Sequence, residues 1–583
     1  MSDTSRPDRL TDAPTLWELL ERRVALTPDA PMLIQELPDT GTGTGTGTET
    51  ETETDAGTGA GPDRVLSFRQ VRDRAERVAA GLRAGYGVGE GSRVAWQLPT
   101  RVETVLLSLA LARLGAVQTP VIALYRGAEV GRILREAEPQ LFLVPGVWRG
   151  FDYLRLAADA STDGNGNGTG TGDGTGPLVR VAYAEADLPQ DDPGTLPPPP
   201  RTDLGDERAP VRWVFYTSGS TAAPKGARHT DRTLIAGGAG LAEAMGTGPH
   251  DVGSIAFPYA HIGGPAYLVT MLLRGFPSLL AEVFALPDTL AAFRRNGVTV
   301  AGGSTAFYSA FVAEQRKLPP GERLLPTLRL ISGGGAPCPP ELYHEVVTEL
   351  GCELAHGYGM TEAAAICMGS PLDSPDQLAH TEGRPVTGAE LRIVRVVRPE
   401  GGAGAAEGGG DAAAGETGEV WLRGPMVCRG YTDPELTARA FSAGDWFHTG
   451  DLGHIRPDGH VVLTGRLKDI IIRKGENIAP QEIEDLIYQD PRVGAVAVIG
   501  LPDPVRGERV CAVVERRPGQ EPPTLAEITA RLRAAGLMTQ KIPEQLEVVD
   551  ALPRNETLRK VVKQELRDLF AALPWTDPAL PRP

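Results

Sequence analysis

The run Tyr216-Thr-Ser-Gly-Ser-Thr-Ala-Ala-Pro-Lys-Gly226 gathers hydroxyls, glycine and one lysine into a segment suited to holding phosphate. Thr217, Ser218, Ser220 and Thr221 offer hydroxyl donors, Gly219 lets backbone N–H groups approach an anion, and Lys225 supplies a point charge. The usual P-loop is a different design, since its lysine directly follows a glycine and precedes Ser or Thr. A polar surface turn could share this composition, so the loop has to be read with its neighbours. Downstream lie two more glycine clusters, Ser332-Gly-Gly-Gly-Ala-Pro337 and Gly357-Tyr-Gly-Met-Thr-Glu362. Each alone is a tight turn, but together with the first loop they form a series.

Short apolar strands must present these loops. Residues 211–216 are a β-branched and aromatic run that leads straight into the first loop, and residues 252–257, 298–302 and 328–331 read as further buried strands. Earlier, helical patterns at 71–82 and 102–114 alternate with strands at 94–98, 118–121 and 140–144, a rhythm of βαβ units and a largely parallel sheet. Ligands of such sheets gather at the carboxyl ends of strands, where the glycine clusters fall. Thr15-Leu-Trp-Glu18 resembles a capping box for a helix that packs on the body.

The 583 residues exceed what one core organises, so two or more domains are expected. A net charge of −17 argues against a nucleic-acid partner. The five cysteines show neither a CxxC pair nor zinc spacing, which fits a reducing cytoplasm. The polar N-terminus has no apolar signal core, and the longest apolar stretch is too short to span a bilayer. Gly/Thr-rich or Gly/Ala-rich runs at 41–61, 162–176 and 401–415 read as surface insertions with no core of their own.

The ordered motifs resemble those of the adenylate-forming (AMP-binding) enzymes, and the likeness covers nearly the whole chain. It rests on the first loop, the Ser332 to Pro337 turn, Tyr358-Gly-Met-Thr-Glu362, Gly383-Arg-Pro385, Trp446-Phe-His-Thr-Gly-Asp451, Gly465-Arg-Leu-Lys-Asp469, Lys474-Gly-Glu-Asn-Ile-Ala-Pro480 and Leu552-Pro-Arg-Asn555. The resemblance implies an α/β fold: a large N-terminal domain of mixed sheets flanked by helices, residues 1–466, and a small mobile α+β lid, residues 467–583, hinged at Lys468. It also implies ATP, Mg²⁺ and coenzyme A as cofactors and co-substrates.

Carried over residue by residue, the resemblance assigns Thr217, Ser218, Gly219, Ser220, Thr221 and Lys225 to the β- and γ-phosphates of ATP. Tyr358 would stack on adenine against Gly335, Ala336 and Pro337, Thr361 would bond the α-phosphate, and Glu362 would ligate Mg²⁺. Asp451 and Arg466 would hold the ribose. Lys474 and Gly475 belong to the version of their motif that lines a pantetheine tunnel. Two departures stand out. Ala222 replaces a usual glycine, and the usual Gly-Lys pair of the lid becomes Leu558-Arg559-Lys560. Counting forward from Pro553 puts Arg559 at the catalytic position, and counting back from Glu565 puts Lys560 there. Lys560 is the choice, with a one-residue insertion before it.

The resemblance implies that an amino-acid adenylation domain would place an aspartate in this stretch to pair the substrate ammonium, whereas 258–264 offers Tyr259 and His261 but no carboxylate, which disfavours an amino acid. His261 could gate the carboxylate or the thiol, or be a hydrogen-bonded histidine at a strand end. Tyr259, His261, Gly263, Gly264 and Gly357 are the expected acyl pocket, the glycines leaving room for an alicyclic, aromatic, medium-chain or long-chain acid. The expected reaction joins a small-molecule carboxylic acid to coenzyme A through an acyl-adenylate. The alternatives are transfer to a carrier protein or to oxygen, and a non-catalytic adenylate-binding protein. No membrane span and no appended carrier domain are expected, and a homodimer is the candidate assembly.

Overall fold

A computed structural model of the chain describes residues 10–36, 63–160, 177–202, 209–217, 224–396, 409–473, 476–503, 505–555 and 559–571. The repetitive runs at 41–61 and 162–176 lie outside these residues. Part of the third is described: the end of 401–415 is tied back by a bridge between Val394 and Asp411 and by an Arg392–Asp411 ion pair at 2.6 Å.

The largest sheet runs Arg384–Pro385, Ala363–Met368, Glu353–Met360, Leu330–Gly334, Val300–Gly303, Gly253–Ile255, Ser278–Leu280, Pro31–Gln35, Arg64–Ser67 from edge to edge. Its interior strands are parallel, and antiparallel strands close both edges. A second sheet follows the order Gly226–His229, Trp213–Tyr216, Val117–Pro120, Arg93–Trp96, Leu141–Val144, Leu178–Val181, parallel except for its first strand. The sheets are therefore mixed, as expected. A third, antiparallel sheet is built from Glu390–Val394, Gly418–Arg423, Phe441–Ser442, Trp446–Ile455 and Val461–Arg466.

The helix Val102–Leu114 has the bounds its apolar pattern predicts and is buried on every side, which explains why its hydrophobic residues circle the axis instead of forming a stripe. Leu16–Leu26 begins with Thr15 accepting from the Glu18 N–H at 3.1 Å and buries Leu16, Leu19 and Leu20. The strand predicted over 211–216 starts later, at Trp213, and the buried Arg212 before it turns its guanidinium to the Gly115 carbonyl and to Glu90.

Beyond Arg466 a separate sheet forms, in the order Glu476–Ile478, Ile471–Arg473, Gly507–Arg516, Val493–Asp503, with Gln545–Val549 pairing Gly507–Arg516. The helix Pro480–Tyr488 starts with proline at its first turn and buries Ile483 and Ile487 against one face of this sheet. Lys563–Ala571 covers the other face with Leu566 and Phe570. This small unit has its own two apolar clusters, so it is a small C-terminal domain with an independent core.

Candidate active site

The first loop hangs between paired strands, with Tyr216 opposite Gly226. Its ends are cross-tied: the Thr217 N–H donates to the Lys225 carbonyl at 3.1 Å, and the Lys225 N–H donates to Thr217 Oγ1 at 3.3 Å. Ser218, Gly219, Ser220 and Thr221 lie outside the described residues. Gly226 is demanded by a close approach, since a Cβ there would lie 2.8 Å from Thr432 Oγ1. Lys225 Nζ stands 5.6 Å from the centre of the Tyr431 ring, within cation–π range. Tyr431 in turn donates its hydroxyl to Glu362 Oε1 at 2.6 Å. One tyrosine thus links the phosphate-loop lysine to the expected metal ligand.

Thr361 and Glu362 form the turn between the antiparallel strands Glu353–Met360 and Ala363–Met368, with Met360 opposite Ala363. The turn is tied on several sides. The Thr361 carbonyl faces His229 Nε2 at 2.9 Å, and the Glu362 carbonyl accepts from the Cys428 N–H at 2.8 Å. Burial raises the Glu362 carboxyl above its usual range, and the Tyr431 hydroxyl and then Lys225 oppose that shift. A dry carboxylate beside a lysine suits a hard cation shared with phosphate oxygens. Among the described residues no group of three His, Cys, Asp or Glu side chains could hold a metal ion.

Asp451 lies opposite Arg466 in the third sheet. Its Oδ1 is 2.8 Å from Arg466 Nε, and its Oδ2 accepts from the Tyr358 hydroxyl at 2.6 Å. Each carboxylate oxygen has two lone pairs, so both can still accept from a sugar. The Gly335-Ala-Pro337 turn lies nearby: Gly335 has φ of 89°, and the Ala336 carbonyl is 2.9 Å from His356 Nε2.

Lys560 reaches this cluster from the lid. Burial pushes its ammonium down to about 8, with Arg466 adding repulsion while Asp451 and Glu362 pull the other way. Arg559 is exposed and has φ of 58°, in the left-handed region that favours glycine. A glycine would take this backbone without strain, and Lys560 follows Arg559 directly. Asn555 straps the segment: its N–H donates to the Lys560 carbonyl at 2.8 Å, and its Oδ1 accepts from the Lys560 N–H at 3.0 Å. Lys468 sits exposed in the turn Leu467–Asp469. Asp469 ties that turn to the lid helix through Arg567 at 2.8 Å. Lys474 and Gly475 lie outside the described residues.

The pocket expectations need correction. Tyr259 is fully buried, stacks on Trp96 with centroids 6.2 Å apart and contacts Ser108 Oγ at 3.3 Å, so it belongs to the core. Gly264 makes no room, because a Cβ there would lie 2.2 Å from the Tyr259 carbonyl oxygen. At Gly357 the space is filled by Met368, whose Sδ would be 2.3 Å from a Cβ. Gly263 faces the site, beside His261 Nδ1 and the Phe257 ring at 3.3 and 3.6 Å from a built Cβ. The Gly263 N–H donates to His261 Nδ1 at 3.2 Å, so in the neutral ring the proton is on Nε2. Burial, helped by the Lys560 charge, pushes His261 down to about 4. At neutral pH it is an uncharged donor facing the lid lysine.

His229 and Tyr431 are contacts of the Thr361–Glu362 turn that sequence reasoning missed. The comparisons with known proteins agree with this geometry. Residues 20–432 match the AMP-binding enzyme family, and residues 482–559 match the AMP-binding enzyme C-terminal domain. The chain belongs to the AMP-binding enzyme family. It is 31% identical over 526 residues to a 2-hydroxy-7-methoxy-5-methyl-1-naphthoate–CoA ligase of Streptomyces carzinostaticus, covering 87% of this chain and 89% of that protein. It is 32% identical over 497 residues to a salicyl-AMP ligase / salicyl-S-ArCP synthetase of Mycobacterium tuberculosis, covering 84% and 82%. The crystal structure of ATP-bound MatB from Rhodopseudomonas palustris superposes with a TM-score of 0.76 at 26% identity, covering 95% of this chain and 99% of that one. No helix among the described residues is long and apolar enough to cross a membrane.

Proposed function

We propose that this chain is an AMP-forming acid–thiol ligase that activates a carboxylic acid with ATP and transfers the acyl group to coenzyme A. The observation that carries the reading is the meeting of Lys560, from the lid, with Arg466, Asp451 and Glu362 of the body. In the first half-reaction a carboxylate oxygen attacks the α-phosphorus, forming an acyl–phosphate bond as the bond to pyrophosphate breaks. Two anions must approach, and one cation about 4 Å from the reacting group is worth about 4 kcal/mol at an effective dielectric near 20. Lys560 and Lys225 bring that charge, and Thr361 donates to the α-phosphate. Mg²⁺ held by Glu362 would supply Lewis-acid stabilisation of the phosphates. Tyr358 stacks on adenine and Asp451 receives the ribose hydroxyls.

In the second half-reaction the thiol sulfur attacks the activated carbonyl, the thiol proton leaves, and AMP departs. No protein nucleophile is needed. Rotation of the lid about Lys468, with the domain boundary at residue 467, withdraws Lys560 and brings the Lys474-Gly475 segment to the thiol. His261 donates through Nε2 to the substrate carboxylate, and Gly263 keeps the wall beside it open. The relatives named for a naphthoate and for salicylate support an aryl acid as the first class to test.

The test is incubation with Mg-ATP and a panel of aryl, alicyclic and straight-chain acids, with and without coenzyme A, following AMP and thioester. Coenzyme A-dependent thioester with at least one acid is the expected result. Adenylate without thioester overturns transfer to coenzyme A and favours the carrier protein that the salicyl-S-ArCP synthetase name implies for that relative. No acid-dependent turnover overturns the reading altogether.

A further inference from the structure

His229 belongs to none of the motifs, yet it is fully buried and touches the turn that carries Thr361 and Glu362. Its hydrogen bonds fix its chemical state. Nε2 is 2.9 Å from the Thr361 carbonyl, which can only accept, so Nε2 bears the proton. Nδ1 is 2.9 Å from Thr233 Oγ1 and in the neutral ring must accept that hydroxyl's hydrogen. The Thr230 carbonyl, 2.8 Å from the same hydroxyl, competes for it. Burial pushes the imidazole down to about 4, consistent with a neutral ring. Phe215 meets the ring edge-on with centroids 5.8 Å apart, and Trp213 stacks on Phe215, so the ring has little freedom to turn.

The strand that ends in His229 begins at Gly226, directly after Lys225. We infer that His229 is a positioning residue for Mg-ATP: its Nε2–H holds the Thr361 carbonyl, locking the turn that carries Thr361 and Glu362 to the strand that starts beside Lys225. The inference rests on the ATP-dependent activity proposed above. Without this bond the part-buried Thr361 carbonyl lacks its donor, and the turn relaxes at the cost of its aim. Glu362 keeps its ties to Tyr431 and Cys428, so the error falls on Thr361 and on the spacing between the two phosphate-binding segments.

The test compares wild type with His229→Phe, which keeps an aromatic ring against Phe215 but no hydrogen bond, and with His229→Gln, which restores a donor near the Nε2 position. Two rates are read: acid-dependent ATP–pyrophosphate exchange against Mg-ATP concentration, using the best acid from the panel, and thioester formation from that acid's supplied acyl-adenylate. His229→Phe should raise KM for Mg-ATP about tenfold and change thioester formation by less than about twofold, with His229→Gln within about threefold of wild type. Equal losses in both half-reactions, or glutamine as impaired as phenylalanine, overturn the inference. If His229→Phe does not fold, His229→Asn, which can keep only the Thr233 side of the bonding, replaces it and must raise KM where glutamine does not. Wild type lacking acid-dependent exchange overturns the activity reading itself, before any variant is compared.

Discussion

The Thr361–Glu362 turn and the Asn555–Lys560 strap both present groups to the same cluster, but they are held differently. The turn is a hairpin tip in the largest sheet, fastened by His229 on one side and by Cys428 and Tyr431 on another, two other parts of the chain. The strap is held by Asn555, by the bridge between Arg554 and Val561 and by the Arg554–Glu515 ion pair at 3.1 Å, ties made within the small C-terminal domain. Donors for phosphate and metal gain from rigidity, because any reorganisation at the moment of reaction is lost stabilisation. A charge needed in one half-reaction gains from a support that can leave. On the function proposed above, the body would supply fixed recognition and the C-terminal domain a removable cation.

The sharpest way to break this contrast is Lys560→Ala. It should slow adenylation by about 10²–10³-fold while thioester formation from supplied acyl-adenylate stays within about threefold. Equal losses would make Lys560 part of the fixed machinery. Next comes Tyr431→Phe, which deletes the hydroxyl on Glu362 but keeps the ring under Lys225. Loss of such a supporting bond should raise the Mg²⁺ concentration needed for half-maximal pyrophosphate exchange about tenfold. An unchanged Mg²⁺ requirement would show that Glu362 needs no such support.

A pH profile probes the cation directly. The ammonium of Lys560 titrates near 8 in the folded protein against an ordinary value of 10.5, so the folded state releases its proton first. The cost of burying the charge is full below about pH 8 and fades as pH rises towards 10.5, so the seated lid gains stability over that window. Activity runs the other way, because the chemistry uses the cation. kcat/KM for adenylation should fall above about pH 8, and Lys560→Arg should move the fall beyond the accessible range. A Lys560→Arg enzyme with an unchanged profile would assign the titration elsewhere. The smallest effect belongs to Arg559→Gly, which relieves a positive φ on an exposed residue: adenylation should stay within about twofold and thermal stability should hold or rise slightly. A large loss of adenylation would return the catalytic role to Arg559.

Much of this arrangement can be read along the chain because its signals are local. The helix Val102–Leu114 follows from an apolar block ended by Gly115, which takes φ of 67°. The hairpin turn, Asp451 and Arg466 sit in motifs whose spacing is preserved. His229 and Tyr431 could not be found that way, since their contacts cross 132 and 69 residues of sequence and leave no periodicity. Glycine misled for another reason. Gly263 borders the site while Gly264 and Gly357 admit neighbouring atoms, and a bare glycine looks the same in both roles. Arg559 shows the opposite case: its left-handed backbone is a local feature that residue counting does not reveal.

One carboxylate joins two tasks usually considered apart. Asp451 receives the Tyr358 hydroxyl on one oxygen and the Arg466 guanidinium on the other, and Arg466 is two residues from Lys468. Arg466 ends its strand and Lys468 lies in the turn that follows, so this ion pair sits where the third sheet hands the chain over to the small C-terminal domain.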